Sequence, residues 1–168
     1  DLEIDRLLRA RLTGARPDYG WLSEESEDGP ERLGAERVFI VDPIDGTRAF
    51  IEGSTVWCVS VAVVLDGRPV AGVLSCPARN EFFQASRHGG ARRNGEPILV
   101  AGTRQTLQVA GPKYLIDRVP QELRQRFHTL PYIPSLAYRI AMVADGRLDA
   151  TFVRPNAHDW DLAAADLI

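Results

Sequence analysis

Apolar runs long enough to cross a membrane are missing from this chain. A spanning helix needs ~20 consecutive apolar residues, and no stretch here approaches that. No membrane association is therefore expected. An excess of basic residues is missing too: the 168 residues carry a formal net charge of −3. No global positive field exists to attract a nucleic-acid polymer. Cysteine is nearly missing. Cys58 and Cys76 have neither zinc-ligand spacing nor a nearby histidine. Both sit in apolar, strand-like runs and read as buried structural thiols, which fits a reducing compartment, the cytoplasm. No repeat, low-complexity segment or signal peptide is visible. The chain opens at Asp1, without Met and already within an amphipathic pattern, and it ends at Ile168 inside another. Further residues are expected at both ends.

What is present belongs to a folded protein. The chain is 45% hydrophobic and 26% charged, a globular balance. Its length suits one domain or two small ones and is enough to bury a sizeable core. The acidity is local: Glu24, Glu25, Glu27, Asp28, Glu31 and Glu36 fall in one short segment. Most of these read as a solvated loop. Glu24 and Glu25 stand apart, because the apolar Trp21-Leu22 leads directly into them.

Periodicity divides the chain in two. Leu2, Ile4, Leu7, Leu8 and Leu12 are near helical spacing, which predicts a helix over 2–13 closed by Gly14. Residues 37–42, 56–65, 68–76 and 81–85 read as strands. Asp66-Gly67 is a two-residue hairpin signal, and Gly89-Gly90 and Asn94-Gly95 are further turns, so an antiparallel meander is expected. If that hairpin pairs Leu65 with Arg68, Cys58 stands opposite Ser75 and Cys76 opposite Trp57, with the two thiols on opposite faces. Beyond residue 106 strand and helix alternate: strands over 107–110 and 148–153, helices over 121–127, 136–144 and 160–168. The expected class is α/β, with an antiparallel α+β part over 1–105 and an α/β part over 106–168.

One motif carries most of the chemistry. Val41-Asp42-Pro43-Ile44-Asp45-Gly46-Thr47 sets two carboxylates three residues apart at the end of an apolar strand, and Gly-Thr then opens a helix. Hard cations such as Mg²⁺ take oxygen ligands and bind through one or two carboxylates plus substrate phosphates. Helix-start N–H groups favour an anion. Taken alone, Asp-Pro-x-Asp-Gly reads equally as an Asp-rich turn. Two other acidic motifs border apolar elements: Ser23-Glu24-Glu25-Ser26 and Trp160-Asp161-Leu162-Ala163-Ala164-Ala165. Taken alone, Asp161 reads as a helix-start acid and Glu25 as a loop acid.

In this order the three motifs resemble those of the inositol monophosphatase superfamily, Mg²⁺-dependent and lithium-sensitive phosphatases. Its pattern is Gly-Glu-Glu, then Asp-Pro-Ile/Leu-Asp-Gly-Thr, then Trp-Asp-x-Ala-Ala/Gly. Gly90-Ala91…Asn94-Gly95 and Ala144-Asp145-Gly146-Arg147-Leu148-Asp149 extend the resemblance over nearly the whole chain. It implies a layered αβαβα sandwich, often a homodimer. It also implies two or three Mg²⁺ ions held by Glu25, Asp42, the Ile44 carbonyl, Asp45 and Asp161. The N–H groups of Gly46 and Thr47 would hold the phosphate, and Asp1 and Thr47 would orient the attacking water. The side chains of Asp45, Ser135, Arg154 and Asp161 would meet the rest of a small phosphate ester. Asp1 reads otherwise as a helix N-cap.

The chain departs from the family pattern in places. Ser23 replaces the Gly before the acid pair, and Pro134-Ser135 replaces Gly-Ser/Thr before the apolar helix. Asp-Gly-Thr-Arg-Ala-Phe is closer to bacterial bisphosphate-nucleotide and histidinol-phosphate phosphatases than to inositol-specific members. Arg154 stands where those members often carry an acid; an arginine there suits an additional anionic group or is a plain surface residue. The resemblance implies a phosphomonoesterase acting on adenosine 3′,5′-bisphosphate or inositol monophosphate, then histidinol phosphate. The alternative is a catalytically silent metal- or phosphate-binding module, although such a relative has no reason to keep Glu25, Asp42, Asp45, Thr47 and Asp161 together.

Overall fold

A computed structural model describes residues 1–168. Helix α1 (Leu2–Ala15) leads into β1 (Gly20–Ser23). A 3₁₀ turn over Pro30–Gly34 returns the chain to β2 (Arg37–Asp45). After α2 (Thr47–Ile51) come β3 (Cys58–Leu65), β4 (Arg68–Cys76), β5 (Glu81–Ser86), β6 (Gly90–Arg93) and β7 (Glu96–Pro97). These seven strands form one sheet in chain order. Only the β1–β2 pair is parallel; every later neighbour is antiparallel. The meander expected from the turn residues is therefore present.

The remaining chain builds a smaller, parallel sheet. It contains β8 (Leu107–Ala110), α3 (Lys113–Ile116), α4 (Gln121–Arg124), β9 (Phe127–Thr129), α5 (Leu136–Ala144), β10 (Ala150–Thr151) and α6 (Asp159–Leu167). The strand order is β10-β8-β9. The helix expected over 121–127 stops at Arg124, and Phe127 instead opens β9 beside Leu107. The strand expected over 148–153 shrinks to two paired residues.

Helices α5 and α6 lie between the sheets. α6 crosses β4, β3 and β2 and packs on α5, which also touches β10. Its buried face is Ala163-Ala164-Ala165. Short side chains let the helix approach closely: a Cβ on Gly72 of β4 would sit 3.0 Å from the Ala164 Cα and carbonyl oxygen. One core joins residues of both sheets, among them Ile40, Leu74 and Phe83 with Ala110, Tyr138 and Leu148. By contrast, α1 buries only Asp5, and Leu2 and Leu7 remain exposed.

The β3–β4 hairpin corrects one expectation. Asp66 and Gly67 both take positive φ, as the turn requires, and Leu65 pairs Arg68. A bulge then inserts Val70: Val64 pairs Pro69, but Val63 pairs Ala71. One extra residue shifts everything beyond it. Val59 now pairs Ser75, so Cys58 faces Cys76, not Ser75, and both thiols are fully buried. Both remain free thiols.

Candidate active site

The parallel β1–β2 pair sets the first wall of the site. Its register runs from Gly20 opposite Val38 to Ser23 opposite Val41. One step further brings Glu24 beside Asp42, and the Glu24 N–H donates to the Val41 carbonyl at 3.2 Å. The two carboxyl groups share a hydrogen bond. The chain leaves β1 at Ser23 and turns through Glu24 and Glu25. Glu24, not Glu25, lines the cleft with Asp45 and Asp161. Asp5 of α1 anchors this loop. It is buried and accepts from Ser23 Oγ at 2.5 Å and Ser26 Oγ at 2.8 Å. Ser23, the residue that departs from the family's glycine, thus has a structural partner.

β2 continues through the motif and ends at Asp45. Its pairing with β3 slips between Asp42, opposite Ser60, and Asp45, opposite Cys58. Pro43, which has no N–H to give a ladder, sits in that irregular stretch. The Asp42 carboxylate accepts from the Ile44 N–H at 3.0 Å, closing a local turn. Asp45 reaches across to the start of α5. It accepts from Ser135 Oγ at 2.6 Å, the Ala137 N–H at 2.6 Å and the Leu136 N–H at 3.2 Å. Those donors are a helix N-terminus, where an anion is favoured. Gly46 permits the approach: its φ is +93°, and a Cβ there would lie 3.2 Å from that of Ser135.

Asp161 arrives from α6. It occupies the first turn, and its carboxylate accepts from the His158 N–H at 2.8 Å. Asp42, Asp45 and Asp161 each offer an oxygen, all within 4.8 Å of one another. Crowding of like charges in a buried place has a cost. Burial, then Asp45, Glu24 and Asp161, push the Asp42 carboxyl up to about 9. Burial also raises Asp45, outweighing its three donors, and raises Glu24 despite its hydrogen bond to Asp42. No arginine, lysine or histidine pairs with any of the four acids. An all-oxygen, carboxylate-rich set of this kind fits a hard divalent cation.

The other residues anticipated for the site divide. Arg154 lines the same cleft of about 280 Å³, together with Arg139, Tyr132, Asn156 and His158. Ser135 is fully buried, and its hydroxyl donates to Asp45 and accepts from the Tyr138 N–H. The Thr47 hydroxyl donates to the Ile44 carbonyl at 3.0 Å rather than to Asp1. Asp1 precedes α1 without capping it, and its Oδ1 is buried with no partner. Glu24 and Arg139 were missed. The turn after β1 that sets Glu24 on the cleft leaves no local mark, and Arg139 sits inside an apolar helix pattern.

Comparison with known proteins follows the same lines. A family model described as "Inositol monophosphatase family" matches residues 1–168. The chain is 35% identical to an inositol-1-monophosphatase of Rhizobium meliloti over all of its own length and 66% of that protein. It is 36% identical to a histidinol-phosphatase of Chlorobaculum parvum over 70% of this chain and 46% of that one. Among solved structures, the extragenic suppressor protein SuhB from Bartonella henselae superposes with a TM-score of 0.86 at 34% identity, over 99% of this chain and 67% of that one. The chain thus spans about two thirds of the length of such relatives.

Proposed function

Because this chain belongs to the inositol monophosphatase family, we propose that it is the metal-binding core of a Mg²⁺-dependent phosphomonoesterase for small phosphorylated metabolites. The observation that carries this reading is the cluster of Asp42, Asp45 and Asp161 within 4.8 Å, with Glu24 beside Asp42 and no basic side chain to balance them.

The residues fit the cation. Asp42, Asp45, Asp161 and Glu24, with the Ile44 carbonyl, would hold two or three Mg²⁺ ions. Mg²⁺, when bound, would neutralise phosphate charge and make a coordinated water more acidic. The chain's own groups do the positioning. Ser135 and the α5 N-terminus fix Asp45. The left-handed Gly46 opens α2, and its N–H and that of Thr47 would bind a phosphate oxygen. The Thr47 hydroxyl, released from Ile44, and the Asp1 carboxylate, which lacks a partner, would orient the water and take its proton. Asp161 would meet the ester as well as a cation. Positioning and charge neutralisation account for nearly all of phosphoryl-transfer catalysis, so no covalent phosphoenzyme is needed.

Adenosine 3′,5′-bisphosphate is the favoured substrate, supported by the cationic Arg154 on the cleft wall. Inositol monophosphate and histidinol phosphate follow, each the substrate class in a relative's name. A phosphate-release screen over the three esters, with Mg²⁺ and with EDTA, tests the proposal. Release from at least one ester that stops in EDTA is expected. No release from any ester in saturating Mg²⁺ overturns it.

A further inference from the structure

Arg139 is the only cationic side chain buried in the molecule. No carboxylate pairs with it. Its guanidinium is instead held by neutral acceptors: Nε donates to Thr151 Oγ1 at 3.1 Å, Nη1 to the Ile133 carbonyl at 2.7 Å, and Nη2 to the Phe152 carbonyl at 3.4 Å. The Tyr132 ring lies 5.8 Å from it, in cation–π range. A guanidinium has five N–H donors; these acceptors use three and the Tyr132 side chain takes part of the remainder, which leaves at least one for a ligand. Burying a charge without a counter-ion costs several kcal/mol, and the fold holds this one in a fixed orientation.

A second guanidinium faces the same space. Arg154 lines the cleft with Arg139 and forms no ion pair. Burial lowers the Arg139 pKa; Tyr132 and the attraction of Asp45 oppose it, and the repulsion of Arg154 adds to it. The cleft does not end there. Pro112, Tyr132 and Arg154 also border an adjoining hollow of about 730 Å³, lined further by Lys113 and Tyr114. One wall of the cleft thus carries carboxylates and the other guanidiniums, with no direct ion pair between them.

We propose that Arg139 and Arg154 form a subsite for a second anionic group, so that the preferred substrates are phosphate esters bearing another phosphate or a carboxylate. This rests on the phosphatase reading above and narrows its substrate class. The acidic wall binds the scissile phosphate through cations. The arginine wall binds the second anion directly, by charge-assisted hydrogen bonds whose planar geometry suits phosphate and carboxylate alike. Tyr132, whose ring lies 5.8 Å from the Arg139 guanidinium, borders both the cleft and the adjoining hollow.

The test uses Arg154→Gln, an exposed position where folding is not at risk. Phosphate release is compared on adenosine 3′,5′-bisphosphate, 3-phosphoglycerate and inositol 1-phosphate. A charge-assisted hydrogen bond corresponds to roughly tenfold or more. The loss in kcat/KM on the two doubly anionic esters should exceed the loss on inositol 1-phosphate by that factor. A larger effect on the bisphosphate than on phosphoglycerate identifies phosphate as the group read; the reverse identifies carboxylate. Equal losses on all three esters overturn the subsite. Calorimetric binding of adenosine 3′,5′-bisphosphate, with Ca²⁺ in place of Mg²⁺, gives a readout independent of turnover. Affinity should fall roughly tenfold in the variant. Unchanged affinity rejects the subsite even if the enzyme is active, whereas a wild type that binds tightly but hydrolyses nothing rejects only the phosphatase reading.

Discussion

Two clusters of buried charge stand some way apart in this molecule, and they are built on opposite rules. Around Tyr138, charges balance. Arg147 donates to Glu81 at 2.9 and 3.0 Å and to Asp145 at 2.7 and 3.0 Å, and Arg93 adds a further bond to Asp145 at 2.6 Å. The Tyr138 hydroxyl donates to Glu81 at 2.9 Å, and burial pushes the phenol up to about 12. Burial alone would lower the Arg147 guanidinium, but its hydrogen bonds to Asp145 and Glu81 raise it. Around Asp42 the charges do not balance: Glu24, Asp42, Asp45 and Asp161 meet with no cation among them. The first cluster is complete without a ligand and joins β5 to α5 and the segment after it. The second is complete only with one. Satisfied buried charge marks architecture; unsatisfied buried charge marks a binding site.

The largest expected effect separates the two clusters by function. Asp45→Asn should lower turnover on the best substrate by on the order of 10³-fold, while circular dichroism and melting stay near wild type. Near-normal turnover in saturating Mg²⁺ would remove Asp45 from the site. Arg147→Ala should do the opposite. It leaves Asp145 and Glu81 partly unpaired and should cost about 2–3 kcal/mol of stability, at the lower edge for a broken buried pair because Arg93 remains. Denaturant unfolding should show that loss equally with and without Mg²⁺. A loss that Mg²⁺ restores would mean the two clusters are coupled.

The third prediction concerns pH. Asp42 binds its proton more tightly folded than unfolded, since burial and its acidic neighbours raise it to about 9. Between the unfolded carboxyl value near 4 and about 9, the folded state therefore holds more protons, and stability falls as pH rises. In EDTA, the melting temperature should drop across pH 5 to 8, at ~2–4 °C per kcal/mol for a chain of this size. Mg²⁺ should restore more of it at pH 8 than at pH 5, because binding displaces the proton. A flat profile in EDTA would argue against crowded carboxylates. The smallest effect distinguishes two neighbours: Glu24→Gln should weaken Mg²⁺ activation roughly tenfold, about 1.4 kcal/mol, and Glu25→Gln by less than about twofold. The reverse ranking would show that Glu25, not Glu24, serves the cation.

Much of the site was legible because its information is local. Asp42 and Asp45 lie on one short segment, and Gly46 is needed wherever that segment turns. Asp161 opens a helix whose alanines announce a close packing face. Those features survive in any window of ten residues, and together they also implied the family and the α/β class.

What the sequence determined by itself was the identity of the acids on single elements, the hairpin turn at Asp66-Gly67, and the change from an antiparallel meander to alternating strand and helix. Tertiary structure decided everything that depends on register between elements. The turn that follows the parallel β1–β2 pair set Glu24 on the cleft beside Asp45 and Asp161. The bulge at Val70 moved Cys58 from Ser75 to Cys76. The meeting of β2 with the α5 N-terminus made Ser135 a support for Asp45, and the packing of α5 left Arg139 buried with neutral hydrogen-bond acceptors and no ion pair. The physical reason is common to all four. Side-chain direction alternates residue by residue along a strand and turns by about 100° along a helix. A single-residue difference in pairing therefore reverses which group enters a cleft, while leaving the local pattern of the sequence unchanged.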